Sequence, residues 1–242
     1  MLAALNEILV PSIVLVAYLA ILHASFQLGT SVLTLMSGHS LMHKTAKRRL
    51  LTLNVAYIFG VFSMTTIMLA GMTAAFVVWL PLEDIQTAWL LLTSAAIVVG
   101  LLVMTAYYRD GKGTRLWIPR SFASYLENRS KKTRNAIEAG ALGITSVVAE
   151  LPFTAVLMAI ASLALASTVM IEDYLIIIVL YCLVATLPLV VITLLLSGNH
   201  KLSRIQHWRE SNKTFLQYTS GIGIIIAGLF IWVNFILLGN AL

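Results

Sequence analysis

Glu150 and Pro152 sit near the middle of Gly140–Ser162, GALGITSVVAELPFTAVLMAIAS, a segment otherwise apolar enough to cross a bilayer. A charged side chain at that depth costs roughly 2.5–3.5 kcal/mol on insertion scales, so it is expected to be paired or to face a polar cavity. Proline removes a backbone donor and is expected to break or kink the helix, which hydrocarbon tolerates only where the protein re-satisfies the freed groups. Ser146, Glu150 and Thr154 recur every fourth residue and form one polar stripe beside that interruption. The chemistry these residues could do is proton or cation binding at the membrane midplane; the plainer alternative is a proline kink with a hydrogen-bonded glutamate.

A second interruption lies in the first apolar segment, at His23-Ala-Ser-Phe-Gln27-Leu-Gly29-Thr30-Ser31. On a helix His23, Gln27, Thr30 and Ser31 can share a face. The two interruptions fall at matching depths of two segments, a pattern that in transporters marks the binding site. His23, Gln27, Thr30, Ser146, Glu150, Pro152 and Thr154 are therefore the candidate midplane site.

The elements that must position them follow from composition. Of 242 residues, 60% are hydrophobic and 11% charged, with mean hydropathy +0.93, which places the chain among polytopic, all-α membrane proteins. Apolar segments at about 9–37, 51–79, 86–107, 136–168, 174–197 and 215–239 predict six helices. The first and fourth approach thirty residues, more than the roughly twenty needed to span, so tilt, kinking or a break is expected.

All 16 Lys and Arg fall in the first, third and fifth connections, including Lys44 to Arg49, Arg109 to Arg134 and Lys201 to Lys213. The opposite connections and the N-terminus carry Glu7, Glu83, Asp84, Glu172 and Asp173. The positive-inside rule then puts both termini outside, in a cell (inner or plasma) membrane. The net charge of +6 is this orientation code, reinforced by anionic lipid, and not a nucleic-acid signal. Three is odd, so residues 1–108 and 136–242 insert as two inverted three-helix repeats, joined by a basic interfacial loop at 109–135. In that loop Trp117, Ile118, Phe122 and Tyr125 alternate with arginines, as in a segment lying on headgroups. The N-terminus lacks a basic n-region, so no cleaved signal peptide is expected.

Other features carry less. His39 and His43 have a spacing suited to metal but no third ligand. Met64, Met68 and Met72 share a face and could suit Cu(I), although such a row is usually adaptable packing. Trp89, Tyr107 and Tyr108 look like belt aromatics, and Cys182, the single cysteine, cannot form an internal disulfide. No nucleotide, zinc-protease or nucleophile-elbow motif occurs, so neither enzymatic activity nor a cofactor nor a metal is expected.

YRDGKGTRLWIPRSFASYLE followed by GALGITSVVAELPFTAVLMAI resembles the third loop and fourth helix of the CcdA/DsbD transmembrane family, the cytochrome c biogenesis and thiol-disulfide carriers of the LysE-like superfamily. HASFQLGTSVLTLM with NVAYIFGVF is similar to the first two helices of that family. LYCLVATLPLVVI and HWRESNKTFLQYTSGIGIIIAGLFI are similar to its last two. The resemblance implies one reactive cysteine in the first helix and another within Glu-x-Pro-Cys-Thr in the fourth. Here those positions are Gly29 and Phe153, and thiol exchange needs both an attacking and a resolving sulfur. The expectation is a redox-inactive relative, a scaffold or accessory subunit bound to partner chains in the bilayer. The alternative is a LysE-like small-solute or ion transporter working around Glu150.

Overall fold

The computed structural model describes residues 2–26, 28–40, 46–106, 120–168, 171–197 and 202–238. The described residues are helical almost throughout: α1 (Leu2–Ser25), α2 (Leu28–Ser40), α3 (Ala46–Trp79), α4 (Ile85–Ala106), α5 (Arg120–Lys132), α6 (Ala136–Thr168), α7 (Ile171–Ser197), α8 (Leu202–Ser211) and α9 (Lys213–Ile231). A 310 turn at Leu82–Asp84 precedes α4, and a π-helical stretch, Trp232–Leu237, continues α9. Five of these elements (α3, α4, α6, α7, and α9 with its continuation) are long and apolar enough to cross a membrane. The pair Val10–Ser25 and Gly29–Ser37 passes the same test jointly and bends by 41°.

Side chains such as Phe59, Ile67, Leu91, Leu175 and Leu194 point outward and are about two-thirds exposed (63–69%). An apolar surface this continuous is unsuited to water and suits a lipid bilayer. The protein is a multi-pass membrane protein.

Glycine sets the closest helix crossings. A Cβ on Gly60 of α3 would collide with the Gly140 carbonyl oxygen, and one on Gly143 of α6 with the Tyr57 carbonyl. Gly100 of α4 and Gly221 of α9 stand in the same relation, 2.8 and 2.7 Å from each other's carbonyl. Small residues let backbones approach where lipid gives no hydrophobic drive for association. α3 thus lies along α6, and α4 along α9. Gln217 of α9 donates to the Val103 and Met104 carbonyls, both at 2.9 Å, satisfying groups that the end of α4 leaves over.

Around these seams, α1 packs on α6, α7 and α9, α3 on α7, and α4 on α6. The interior divides into two apolar clusters. The larger joins α1, α4, α6, α7 and α9 through residues such as Leu19, Trp89, Phe153, Tyr181 and Ile224. The smaller joins α2, α3, α5, α6 and α7 through Leu33, Leu53, Tyr57, Leu126 and Leu189.

Two sequence expectations change. The fourth span does not break: α6 runs unbroken through Pro152. Only one N–H is missing there, and the Pro152 ring lies exposed on the outer surface. Trp89 is fully buried and stacked on Phe235 with ring centroids 4.4 Å apart, so it is a core residue of the α4–α9 pair and not a belt aromatic. Met68 and Met72 pack against the larger core, as adaptable filling does. Tyr107, Tyr108, Trp117, Ile118 and His43 lie outside the described residues, as does the side chain of His39.

Candidate functional site

The first span is interrupted where its own polar side chains compete for its backbone. The Ser25 hydroxyl donates to the Leu22 carbonyl at 2.6 Å, and the Phe26 N–H takes a tightened bond to the His23 carbonyl at 3.2 Å. Both consume carbonyls at the end of α1, as helix ends require. Neighbouring helices then hold the interruption. Ser25 Oγ lies 2.7 Å from Ser220 Oγ of α9. His23 Nδ1 lies 3.1 Å from the Tyr181 hydroxyl of α7, with the rings edge to face. The Tyr57 hydroxyl of α3 donates towards the Gly29 carbonyl at 3.0 Å and Ser146 Oγ at 2.9 Å. Having one proton, it serves one of these acceptors at a time.

This junction lies between the two apolar clusters and borders a partly open cavity of about 30 Å³, lined by His23 and Thr30 from the first span and by Ser146 and Glu150 from α6. That is room for a water molecule or two, or one small dehydrated ion. Gly29, Val61 and Pro188 complete its wall together with Phe26 and Leu189. Ser146 is itself anchored by donating to the Gly143 carbonyl at 2.7 Å. Glu150 is half-buried and lies within electrostatic reach of Tyr57.

Of the residues chosen from sequence, His23, Thr30, Ser146 and Glu150 therefore meet at one cavity. Thr154 is buried one turn beyond, where its hydroxyl donates to the Glu150 carbonyl at 3.2 Å and steadies that turn without lining the space. Pro152 points away from it. Gln27 lies outside the described residues. The two positions at which the resemblance implied thiols both adjoin the junction: Gly29 lines the cavity, and Phe153 stacks on Phe26 with centroids 6.3 Å apart. Cys182 is fully buried behind Tyr181, as a small hydrophobe.

Sequence reasoning missed Tyr57, Tyr181 and Pro188. A tyrosine in an apolar span looks like core until the partner of its hydroxyl is known. The one available signal was that Tyr57 precedes Gly60 by a turn, which places it on the close-packed face of α3.

Among the described residues the cavity wall offers one carboxylate, an imidazole and the Thr30 and Ser146 hydroxyls beside a helix interruption. Among the described residues no group of three His, Cys, Asp or Glu side chains could hold a metal ion. A donor set richer in oxygen than in nitrogen or sulfur suits a proton or a hard cation. No family model, curated protein or solved structure matches the chain.

Proposed function

We propose that this protein is a six-span carrier of a small solute or ion, with Glu150 as its proton or monovalent-cation site. The observation that carries the reading is the meeting of Glu150 with the interruption of the first span at one small cavity. Glu150 is the only Asp, Glu, Lys or Arg in the interior of the apolar segments. A lone ionisable group of this kind is a functional group by default, and an interrupted helix beside it supplies the carbonyls and dipoles that ion sites use.

The helix pairings support an inverted-repeat architecture of residues 1–108 and 136–242. Exchanging the two halves turns the α3–α6 pair into α7–α1 and the α4–α6 pair into α9–α1, and both partners of each exchange occur. The α4–α9 and α3–α7 pairs map onto themselves. The basic connections then face the cytoplasm and both termini face outward. Rocking of the halves about the cavity would expose it alternately to either side.

The chain is on this reading a redox-inactive relative of CcdA-type carriers. Phe153 and Gly29 supply no sulfur, and Cys182 alone has no internal partner. A second reading, a scaffold subunit held by partner chains, is favoured by the Phe26–Phe153 stack, which fills the space next to a cavity of only about 30 Å³.

Purified protein reconstituted into sealed vesicles separates the two. The carrier reading expects at least one of H⁺, Na⁺ or K⁺ to move down an imposed gradient at least tenfold faster than in protein-free vesicles. Rates equal to those of empty vesicles for all three would leave the scaffold.

A further inference from the structure

A second, larger cleft lies at the basic end of the bundle, between α5 and the first turns of α6. Its volume is about 510 Å³, within the range of small-ligand sites. α5 is amphipathic: Leu126 and Ser130 are buried, and Phe122 and Ala123 pack against the smaller core, so the helix lies fixed on the bundle. Its other face presents Tyr125, Arg129 and Lys132 to the cleft, with Thr133 following.

The elbow joining α5 to α6 is locked. Asn135 Oδ1 accepts the Glu138 N–H and Glu138 Oε2 accepts the Arg134 N–H, each at 2.8 Å, a reciprocal cap on α6. Arg49 of α3 donates to the Arg134 carbonyl at 3.0 Å and ties the elbow to the bundle.

Charge in the cleft is uneven. Lys131, which does not line it, is paired with Glu127 at 2.6 Å. Arg129 and Lys132 have no salt bridge among the described residues. Among the described residues the one acidic group lining the cleft is Glu138, which Arg129 reaches electrostatically and whose carboxylate already accepts a backbone bond. Two cations thus face one engaged carboxylate, which favours an anion.

The surface next to the cleft identifies the kind of anion. Ile137 and Ala141 line the cleft, and Ile144 and Val148 continue from them at helical spacing down α6 beyond it; all four are exposed, Ile137 by 86%. The eleven helical rises of 1.5 Å from Ile137 to Val148 give a track of about 16 Å. That matches one leaflet of a hydrocarbon core about 30 Å thick. The cleft opens onto this bilayer-facing track at Ile137 and Ala141, so an anionic headgroup held at the polar rim has its acyl chain already in hydrocarbon, a contact a soluble phosphate does not make.

We propose that the α5–α6 cleft binds an anionic glycerophospholipid, its phosphate held by Arg129 and Lys132 and one acyl chain laid along Ile137, Ala141, Ile144 and Val148. The site rests on the bilayer placement of the bundle and is independent of any transport role of Glu150.

Native mass spectrometry of the full chain in detergent, titrated with dioleoyl phosphatidylglycerol, dioleoyl phosphatidylcholine or inorganic phosphate, tests it. A cation near an anionic lipid contributes roughly fivefold in affinity. The glycerol lipid should therefore be retained about 25-fold better than the choline lipid. The Arg129→Gln/Lys132→Gln variant should erase that preference, whereas Lys131→Gln keeps it within twofold. Should the double variant fail to fold, Lys132→Gln alone, at an exposed position, should lower the preference about fivefold. Equal retention of the two lipids, or an equal loss in Lys131→Gln, would overturn the site. Displacement of the glycerol lipid by millimolar phosphate would overturn the lipid assignment in favour of a soluble anion.

Discussion

Residues 23–31 and residues 146–154 each put polar groups and a helix-disfavouring residue into an apolar span, yet the chain answers them differently. In the first, α1 ends at Ser25 and α2 resumes at Leu28 at a 41° bend. In the second, α6 passes Pro152 without interruption. The difference lies in who takes the freed backbone groups. At the first, Ser25 captures the Leu22 carbonyl, Tyr57 reaches the Gly29 carbonyl, and Ser220 and Tyr181 engage the side chains of Ser25 and His23. At Pro152 a single N–H is lost, from a helix fastened to α3 through Gly140 and Gly143. An interruption forms where neighbours offer partners for it; a proline alone does not create one.

The largest effect should come from disturbing the fastening of α6. In Gly60→Ala the new methyl meets a backbone carbonyl, which cannot swing aside, so α3 and α6 must separate. The expected cost is about 3 kcal/mol or more, read as thermal unfolding in detergent. Gly71→Ala on the same helix has open space around it and should be neutral or gain up to about 1 kcal/mol. Equal behaviour of the two would show that the seam is not glycine-limited.

Next in size is Tyr57→Phe, which keeps the ring but removes the hydroxyl shared by Gly29 and Ser146. A loss of about 1 to 2 kcal/mol is expected, since a buried carbonyl at the interruption then lacks its donor. No change in unfolding midpoint would mean that the interruption is held without α3.

The smallest loss should follow Pro152→Ala. Alanine restores an N–H to an already unbroken helix and sits on the outer surface, so stability should not fall and should rise by up to about 3 kcal/mol, with ion flux retained. Loss of flux in this variant would return Pro152 to the site and give the two interruptions a common role.

Much of this architecture is legible in the apolar pattern. The expected segment at 136–168 coincides with α6, and those at 86–107 and 174–197 differ from α4 and α7 by at most three residues at either end. Hydropathy fixes such lengths because lipid admits little else. The polar stripe likewise pointed to Ser146 and Glu150, and the first span to His23 and Thr30. Pro152 misled because the effect of proline depends on bracing that comes from α3, ninety residues away in sequence. Trp89 misled because its place near a helix end looks interfacial, whereas Phe235 covers it from a helix at the far end of the chain. Tyr57 and Tyr181 were invisible for the same reason: the groups their hydroxyls meet are set by helix packing, not by local spacing.

The central claim, that Glu150 is a working ion site and not a satisfied core glutamate, is tested most directly by Glu150→Gln with flux and thermal stability measured on the same reconstituted protein. The amide keeps the shape and the hydrogen bonds but cannot cycle a charge. Cation or proton flux should fall at least tenfold, with the unfolding midpoint within a few degrees of wild type. Unchanged flux at unchanged stability would contradict the claim and remove Glu150 from the functional residues.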